Sequence, residues 1–487
     1  MERLKNFFLR NTSDKQTVTK NAFWLFSSEI LSRLFKIILV IYAARTLGAS
    51  GWGIFSYAVS IGTLLMTFSD LGIGNLITRE AAQKKYGYKP FISTAFFIKG
   101  IALSLSVLLV IFFSPLISHV PEAKTLFPVI AALLLFDSLR NFGFSINRAF
   151  EKMEKETIVM TIVNIIILAL GVLLLEINPV PESLAIAYAV GSAAGFIAIF
   201  IMIKNEIAGL WSKIDRSLIK SVFRTTFPLI LITLFGTIIS NTDIYMLGIW
   251  KTPGEIGLYA SAQRIQQFIL IFPSMIATAS FPLFSRLAET DREKSRSVLE
   301  KILSFTMLIG IPAAIGGAIL AGNIVSIALG QEYLGSISSL RIFMIMLFVS
   351  FPLVLLSNAV FAYDKQKETA SAYIAGVIAN ILLNFIFIPK YGAGGAALAT
   401  LISTSVITLI IWEKMKKINY FEILPKLKNI FAASALMVCS VLLLRYLGIN
   451  AIINAVVSFF IYFGILYIFK ESALRDVREI VHQWFDK

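Results

Sequence analysis

The chain has 487 residues, of which 57% are hydrophobic and only 15% are charged, and its mean hydropathy is +0.80. A soluble domain averages about 45–50% apolar and about 25% charged residues, so this composition excludes an ordinary water-soluble enzyme or binding module. The single cysteine, Cys439, excludes an intrachain disulfide and a metal site built from several cysteines. The two histidines, His119 and His482, lie near predicted helix ends and cannot form a nucleophile–base–acid constellation.

Membrane-spanning helices are the main predicted elements, because a helix needs roughly 20 apolar residues to cross the hydrocarbon core. The first six predicted spans are 21–45, 50–76, 91–117, 125–147, 157–176 and 183–203. The next six are 222–249, 254–283, 302–321, 333–361, 369–388 and 392–413, and the last two are 428–446 and 450–469. The connections are too short for a soluble domain, so the sequence predicts an all-α polytopic membrane protein with fourteen transmembrane helices and no enzymatic domain.

The distribution of Lys and Arg predicts the orientation of these helices. With the N-terminus inside, the outer connections carry 5 of the 44 basic residues and the predicted spans carry 6, which leaves 33 for the inner segments. Such an excess of basic residues in short inner loops is the positive-inside signal, so both termini are expected in the cytoplasm. The expected location of the protein is the plasma or inner membrane. The net charge of +15 is thus explained by orientation and contact with membrane lipids, and not by nucleic-acid binding.

An internal duplication is visible in the sequence. Asn147-Arg-Ala-Phe150 followed by EKMEKET is echoed by Asn358-Ala-Val-Phe361 followed by AYDKQKET, and LGASGWGIFSYA early in the chain is echoed by LGIWKTPGEIGLYA. Spans 1–6 and 7–12 are therefore predicted to be two parallel six-helix repeats, an arrangement found in transporters. The predicted domains are 1–212 (spans 1–6), 213–420 (spans 7–12) and 421–487 (two accessory helices and a tail).

Ionisable side chains inside the predicted spans mark the candidate site, since each costs about 2.5–3.5 kcal/mol on insertion scales. Pairing with one another could explain single residues, but basic groups outnumber deep acids. A cavity lined by Arg and Lys suits a phosphate-bearing ligand. The candidate substrate-binding residues are Arg33, Lys36, Arg140, Arg264 and Arg341, with Arg33, Arg140 and Arg264 as the main phosphate ligands. The candidate ion-coupling acids are Asp70, Glu29, Asp137 and Asp243.

Three segments of the sequence resemble Wzx-type polysaccharide and O-antigen flippases. They are the opening KNAFWLFSSEILSRLFKIILVIYAARTLGASGWGIFSYA, the segment DLGIGNLITREAA from Asp70 and the segment IPKYGAGGAALAT from Ile388. These belong to the multidrug/oligosaccharidyl-lipid/polysaccharide exporter superfamily, and the resemblance covers essentially the whole chain. It implies two six-helix lobes in a V shape around a cationic cavity. It also implies that an oligosaccharide linked to polyprenyl pyrophosphate moves from the cytoplasmic to the outer leaflet, for the assembly of cell-surface polysaccharide or glycan.

The same resemblance implies ion-coupled alternating access, with H⁺ or Na⁺ as the coupling ion and no cofactor or bound metal. A polysaccharide polymerase and glycosyltransferases are the expected protein partners. In relatives that flip the peptidoglycan lipid precursor, the last two helices are thought to hold the lipid tail, and the apolar spans 13 and 14 are compatible with that role.

Four alternatives stay open. A multidrug or organic-cation antiporter of the same superfamily would usually have 12 helices and an acidic cavity. A peptidoglycan lipid precursor flippase would share the helix count and the basic first helix. A membrane enzyme such as a polymerase would be expected to carry a large outer loop, and a purely structural membrane protein would not need the interior charges.

Overall fold

The computed structural model describes residues 14–70, 72–74, 76–78, 88–207, 214–215 and 217–471. All regular secondary structure in these ranges is helical, which confirms the predicted fold class at the level of an all-α protein. Part of the DLGIGNLITREAA segment, both ends of the chain and His482 lie outside the described residues.

The helices of the first half are α1 (Asp14–Asp70), α2 (Tyr88–Leu108), α3 (Phe127–Ala149), α4 (Met153–Ile177), α5 (Pro181–Met202) and α6 (Leu218–Trp250). Those of the second half are α7 (Pro253–Ile269), α8 (Ile271–Thr290), α9 (Arg292–Ile319), α10 (Ile337–Ala362), α11 (Gln366–Ile418), α12 (Lys428–Tyr446) and α13 (Ala451–Ile468). Helix α2 continues through one π-helical turn, Leu109–Phe113, into Ser114–Ile117. Short helical segments also occur between the labelled helices, including Ala321–Ala328 after α9.

Several helix boundaries follow from local sequence. Proline occupies the first turn of α3 and of α5, where its missing N–H removes no helical hydrogen bond. The side chain of Asp291 accepts a hydrogen bond from the Lys294 amide at 2.9 Å and caps α9. Asn450 caps α13 in the same way through the Ile452 amide, also at 2.9 Å.

Ten helical segments of the described chain are long and apolar enough to cross a membrane. They correspond to predicted spans 3–6 and 8–14, with spans 11 and 12 both contained in α11. Predicted spans 1 and 2 lie in α1, and span 7 lies in α6. The protein is therefore a polytopic helical membrane protein, and the total of fourteen spans stays a prediction.

Two glycines divide the longest helices where the sequence predicts a turn between spans. Gly48 in α1 has φ 66° and ψ 176°, and Gly392 in α11 has φ 53° and ψ −132°. A side chain makes both conformations costly, because backbone conformations with positive φ are disfavoured for most L-residues. The two predicted spans of α1, and those of α11, thus meet at glycine breaks.

The chain forms two compact units, Met1–Gly257 and Leu258–Lys487. In the first, α1 packs along α4 and α6, and α3 packs against α5. In the second, α10 packs between α9 and α11, while α12 and α13 pair with each other and α12 contacts α9. The Tyr462 hydroxyl donates to the Leu308 carbonyl at 2.7 Å and ties α13 to α9. The predicted repeat boundaries at 212 and 420 stay predictions.

The turn between α3 and α4 has the same geometry as the turn between α10 and α11. Glu151 and Asp364 both have positive φ, 57° and 56°, which is uncommon for residues other than glycine. The next amide then bonds back into the preceding helix, from Lys152 to the Asn147 carbonyl at 3.0 Å and from Lys365 to the Val360 carbonyl at 3.2 Å. Each unit therefore contains this turn next to its copy of the duplicated motif, with the positive-φ residue one position after Phe150 and three positions after Phe361.

Candidate substrate-binding site

The predicted charged face of α1 is present in the first unit. The Arg33 guanidinium forms an ion pair with Glu29 one turn earlier, and their side chains are 31% and 50% exposed. Lys36 lies one turn further along the helix and is exposed. Exposure here means only that no other part of the protein covers the group, so these charges remain accessible to a ligand.

Two hydrogen bonds hold this part of α1 against α4. The Thr157 hydroxyl donates to the Trp24 carbonyl at 2.8 Å, and the Asn164 amide donates to the Ser32 hydroxyl at 2.8 Å. Residue numbers increase together along both helices, so the two helices run parallel. Ser32 and Asn164 are buried, which leaves the neighbouring Arg33 on the open side of the contact.

Arg148, at the end of α3, is a charged residue that the sequence reasoning did not select. Its Nε donates to Glu156 Oε2 at 2.8 Å and its Nη2 to Glu156 Oε1 at 2.5 Å, a two-point pairing. Glu156 on α4 is buried, whereas the Arg148 side chain is 40% exposed. Arg148 belongs to the duplicated NRAF motif, and that motif was interpreted only as evidence for the repeat.

Lys20 and Glu154 form a second pair at this end of the first unit. The Lys20 ammonium lies 3.1 Å from Glu154 Oε2, and its side chain is only 1% exposed. A lysine buried to this degree needs a partner, because an unpaired buried charge is strongly destabilising. This pair fixes the start of α1 on α4 and is too enclosed to bind a ligand.

Arg140, a predicted phosphate ligand, lies inside the first helix bundle. Its Nη1 is 2.7 Å from Asp137 Oδ1, its side chain is 8% exposed, and the guanidinium lies 5.8 Å from the centre of the Phe144 ring. A Cβ on Gly195 of α5 would come within 2.8 Å of Arg140 Cδ, so this glycine makes room for the arginine. Asp137 is 35% exposed and is the accessible member of the pair.

Two further predicted acids lie in α1 and α6. Asp243 is completely buried in the first unit. Near it, the Ser60 hydroxyl donates to the Asn241 carbonyl oxygen at 3.0 Å and lies 3.2 Å from the Asn241 side-chain oxygen, which joins α1 to α6. Asp70 is the last residue of α1, and its side chain lies outside the described residues.

The predicted arginines of the second unit are both exposed. Arg264 on α7 donates from Nη1 to Gln267 Oε1 at 3.1 Å, and Arg341 lies in the first turns of α10. The structure thus brings Glu29 and Arg33 together, and Asp137 and Arg140 together. Whether the five basic residues share one cavity stays a prediction.

An apolar groove of about 600 Å³ lies in the second unit. Pro312 and Gly316 of α9 line one side, and Met437 of α12 and Phe459 of α13 line the other. The volume is within the range of about 300–1,000 Å³ that is typical of small-molecule sites. A groove lined in this way favours a hydrocarbon chain over a polar or charged group, since it offers almost no hydrogen-bond partners.

A cluster of charges, the Glu300 hub, lies at the start of α9 in the second unit. Glu300 is buried and accepts from Arg296 at 2.9 Å, from Lys426 at 2.6 Å and from the Glu422 amide at 2.9 Å. Lys426 lies in the connection that leads to α12. The hub therefore ties the two C-terminal helices to α9.

Among the described residues, no cluster of His, Cys, Asp or Glu could hold a metal ion. The helices, ion pairs and groove described above define a polytopic helical membrane protein with accessible ion pairs in one unit and an apolar groove in the other. The family model for polysaccharide biosynthesis proteins matches residues 18–288, more than half of the chain. The chain belongs to that family, which confirms the resemblance to polysaccharide flippases.

Individual relatives agree with this membership. The chain is 23% identical over 455 residues to Agl15 of Haloferax volcanii, described as a probable low-salt glycan biosynthesis flippase, with 92% of this chain and 94% of that protein covered. It is 23% identical to the capsular polysaccharide biosynthesis protein CapF of Staphylococcus aureus, over 82% of this chain and all of CapF. Among solved structures it is similar to the lipid II flippase MurJ in an inward closed conformation, with a TM-score of 0.77, 20% identity and coverage of 92% and 98%. At that identity, the similarity to MurJ shows the fold alone.

Proposed function

We propose that the protein is a transporter that flips an oligosaccharide linked to polyprenyl pyrophosphate from the cytoplasmic to the outer leaflet. The product serves the assembly of a cell-surface polysaccharide or glycan. Family membership and the similarity to Agl15 and CapF support this function, and these relatives are described as a flippase and a biosynthesis protein.

The observation that carries the proposal is the apolar groove between α9 and the two C-terminal helices. A lipid-linked glycan has a long hydrocarbon tail and a diphosphate, and the groove suits the tail. The accessible Arg33 of the Arg33–Glu29 ion pair on α1 suits the diphosphate, since one guanidinium group can bind two phosphate oxygens at once. With Lys36 one turn further along, two basic groups and one acid lie on this stretch of α1, and that excess of positive charge disfavours an organic cation and the antiporter alternative.

The proposal includes fourteen transmembrane helices in two parallel six-helix repeats followed by two accessory helices. Both termini are cytoplasmic, and the protein lies in the plasma or inner membrane. The identical turns after α3 and after α10 support the repeat, because duplication of one six-helix unit would place one such turn in each copy.

Ion coupling and partner proteins belong to the same proposal. Asp70, Glu29, Asp137 and Asp243 are the candidates for exchanging H⁺ or Na⁺ during the cycle, and no cofactor takes part. A polysaccharide polymerase and glycosyltransferases would act on the same lipid-linked glycan. The partial exposure of Glu29 and Asp137 supports their inclusion, since an exchanging group must be reached by the ion.

Deletion of the gene tests the function. We expect a lipid-linked glycan to accumulate on the cytoplasmic leaflet and to be exported again when the wild-type gene is restored. Accumulation of the peptidoglycan lipid precursor instead would favour the lipid II alternative. Loss of cation efflux without any accumulated glycan would favour the antiporter.

Reporter fusions test the topology. Fusions after residues 124, 251 and 390 should report an external position, and fusions after 85, 152, 213 and 416 an internal one. A consistent inversion from one point onward would mean that one span has been missed or added.

A further inference from the structure

A proline in α9 leaves one backbone carbonyl of that helix without its helical hydrogen bond. Pro312 lies inside α9, and because proline has no N–H, it cannot donate to the Leu308 carbonyl one turn earlier. Leu308 is 2% exposed, and a buried carbonyl within the membrane needs a donor from the protein. The Tyr462 hydroxyl of α13 is that donor, at 2.7 Å. A bond between two helices therefore replaces the bond that α9 lacks.

The two C-terminal helices are joined to each other by side-chain hydrogen bonds. The Asn454 amide of α13 donates to the Val441 carbonyl of α12 at 3.0 Å. The Ser440 hydroxyl of α12 donates to the Ser458 hydroxyl of α13, also at 3.0 Å. Polar contacts of this kind hold helices together in a membrane. The helices α12 and α13 thus form one hairpin, the C-terminal hairpin, and Tyr462 connects this hairpin to α9.

The face of α9 that meets the C-terminal hairpin has little side-chain bulk. Leu308, Pro312 and Gly316 follow one another at four-residue intervals and so lie on one side of the helix. Gly316 has no side chain, and a Cβ there would lie 3.3 Å from Met437 Cε of α12. These three residues of α9 line the apolar groove, and so does Tyr462. The groove is thus the space that proline and glycine leave free between α9 and the hairpin.

Tyr462 lies at one end of the groove. The lining residues that belong to α9 and its C-cap run from Leu308 to Leu320, so they begin at the residue to which Tyr462 is bonded. The rise of the helix between these two residues is about 18 Å. In the proposed topology α9 ends at the outer side of the membrane, and half of the hydrocarbon core measures about 15 Å. The groove therefore spans the outer-leaflet half, and Tyr462 lies near the middle of the membrane.

We infer that Tyr462 is a positioning residue for the lipid tail: its bond to Leu308 closes the groove at the middle of the membrane, so the groove receives a limited length of hydrocarbon in the outer-leaflet half. A polyprenyl chain gains contact along the groove until it reaches the Tyr462 ring. A longer chain gains nothing more there, because the bonded ring fills the gap between α9 and α13. This inference rests on the proposed function, since it specifies how the groove limits the tail of that substrate.

Binding of prenyl phosphates of increasing chain length tests the closed end, with native mass spectrometry of the purified full-length protein in detergent. Wild-type affinity should rise from farnesyl phosphate onward and level off once the chain reaches Tyr462. In Tyr462→Ala, the ratio of the affinity for undecaprenyl phosphate to that for farnesyl phosphate should be about fivefold higher than in wild type, equivalent to about 1 kcal/mol. The reason is that the space left by the ring accepts further methylene groups. A ring that only supported the fold would change both affinities alike.

Tyr467→Ala is the matched control for this ratio. Tyr467 is a tyrosine of the same helix, α13, and it is 76% exposed. Its replacement should leave the ratio of the two affinities at the wild-type value.

A second measurement, the midpoint of thermal unfolding in detergent, tests the hydrogen bond itself. Tyr462→Phe keeps the ring and removes the donor, so the Leu308 carbonyl loses its partner and the midpoint should fall by about 2 °C. Pro312→Ala returns an N–H to α9 that can bond to the same carbonyl. In a Pro312→Ala background, Tyr462→Phe should therefore lower the midpoint by less than about 1 °C.

Three results would overturn the inference. They are an unchanged affinity ratio in Tyr462→Ala, an equal fall of the midpoint in Tyr462→Phe with and without Pro312→Ala, and a wild-type protein that binds no prenyl phosphate. If wild type exports glycan alongside any of these results, the inference alone fails. A wild-type protein that exports no lipid-linked glycan defeats the proposed function instead.

Discussion

Arg148–Glu156 in the first unit and Arg296–Glu300 in the second are arginine–glutamate pairs of nearly equal exposure, but the two acids have different numbers of partners. Glu156 accepts two hydrogen bonds, both from Arg148. Glu300 instead faces a second cation, because Lys426 bonds to it in addition to Arg296. The buried acid of the first unit is thus held by one arginine, and that of the second unit by two cations and a backbone amide.

Exposed pairs such as Arg33–Glu29 can be entered by a ligand, whereas the Glu300 hub holds helices together. A partly exposed acid beside an arginine can be replaced by a ligand, and it stabilises the fold little. A buried acid with three donors gains stability from each of them, and removal of the acid leaves two cations and an amide without their acceptor. We therefore expect changes in the first unit to alter transport, and changes in the Glu300 hub to alter stability.

The largest expected effect is on transport through Arg33. Arg33→Ala should lower the rate of glycan export by about a hundredfold, or about 2.7 kcal/mol, and Arg33→Lys by about tenfold, because lysine keeps the charge without the paired fork. Export is measured in a deletion strain that carries each variant at equal protein level. If the double variant Arg33→Ala with Glu29→Gln restores export, then the pair is structural and Arg33 does not bind phosphate.

The next effect is on stability, and it should be larger in the second unit. Glu300→Ala should lower the free energy of unfolding by about 2–3 kcal/mol, and Glu156→Ala by about 1 kcal/mol, since Glu300 accepts from three donors and Glu156 from one side chain. Thermal unfolding in detergent at a fixed scan rate compares the variants. Equal losses, or a larger loss for Glu156→Ala, would contradict the conclusion that the Glu300 hub contributes more to stability than the Arg148–Glu156 pair.

A smaller effect is expected from filling the apolar groove. A Cβ on Gly316 already lies 3.3 Å from the end of Met437, so Gly316→Leu would occupy groove volume. The affinity for a long-chain polyprenyl phosphate should fall by about fivefold, a loss of about 1 kcal/mol. Gly464→Leu on α13 is the control, because no atom lies within 4 Å of the place that a Cβ on Gly464 would occupy. An equal loss in both variants would exclude the groove as the tail site.

The smallest expected effect is that of Glu29 on the free energy of unfolding. Glu29→Gln should change the free energy of unfolding by less than about 0.5 kcal/mol, because an exposed ion pair of neighbouring turns contributes little. The unfolding midpoint in detergent is the measurement. A loss above about 1 kcal/mol would mean that Glu29 is a structural partner of Arg33.

Much of the fold was predictable because lipid imposes a simple rule on sequence. Apolar stretches of membrane length predicted the helical class, and the breaks at Gly48 and Gly392 fall where turns between spans were expected. The duplicated motif correctly indicated a recurring turn, since a charged residue with positive φ lies two residues after the end of α3 and two residues after the end of α10. The pairing of Glu29 with Arg33 was also predictable from the sequence, because a one-turn spacing places two residues on one helix face.

The sequence by itself therefore determined the polytopic helical class, the pair on α1 and the repeated turn, all of which depend on local spacing. Only the tertiary structure decided which charges are accessible. Arg140 is buried against Gly195 while Arg148 remains 40% exposed, and both lie on α3. The physical reason is that burial depends on neighbouring helices, whose register is set by long-range contacts such as Thr157 with Trp24. No periodicity within a single helix contains that information.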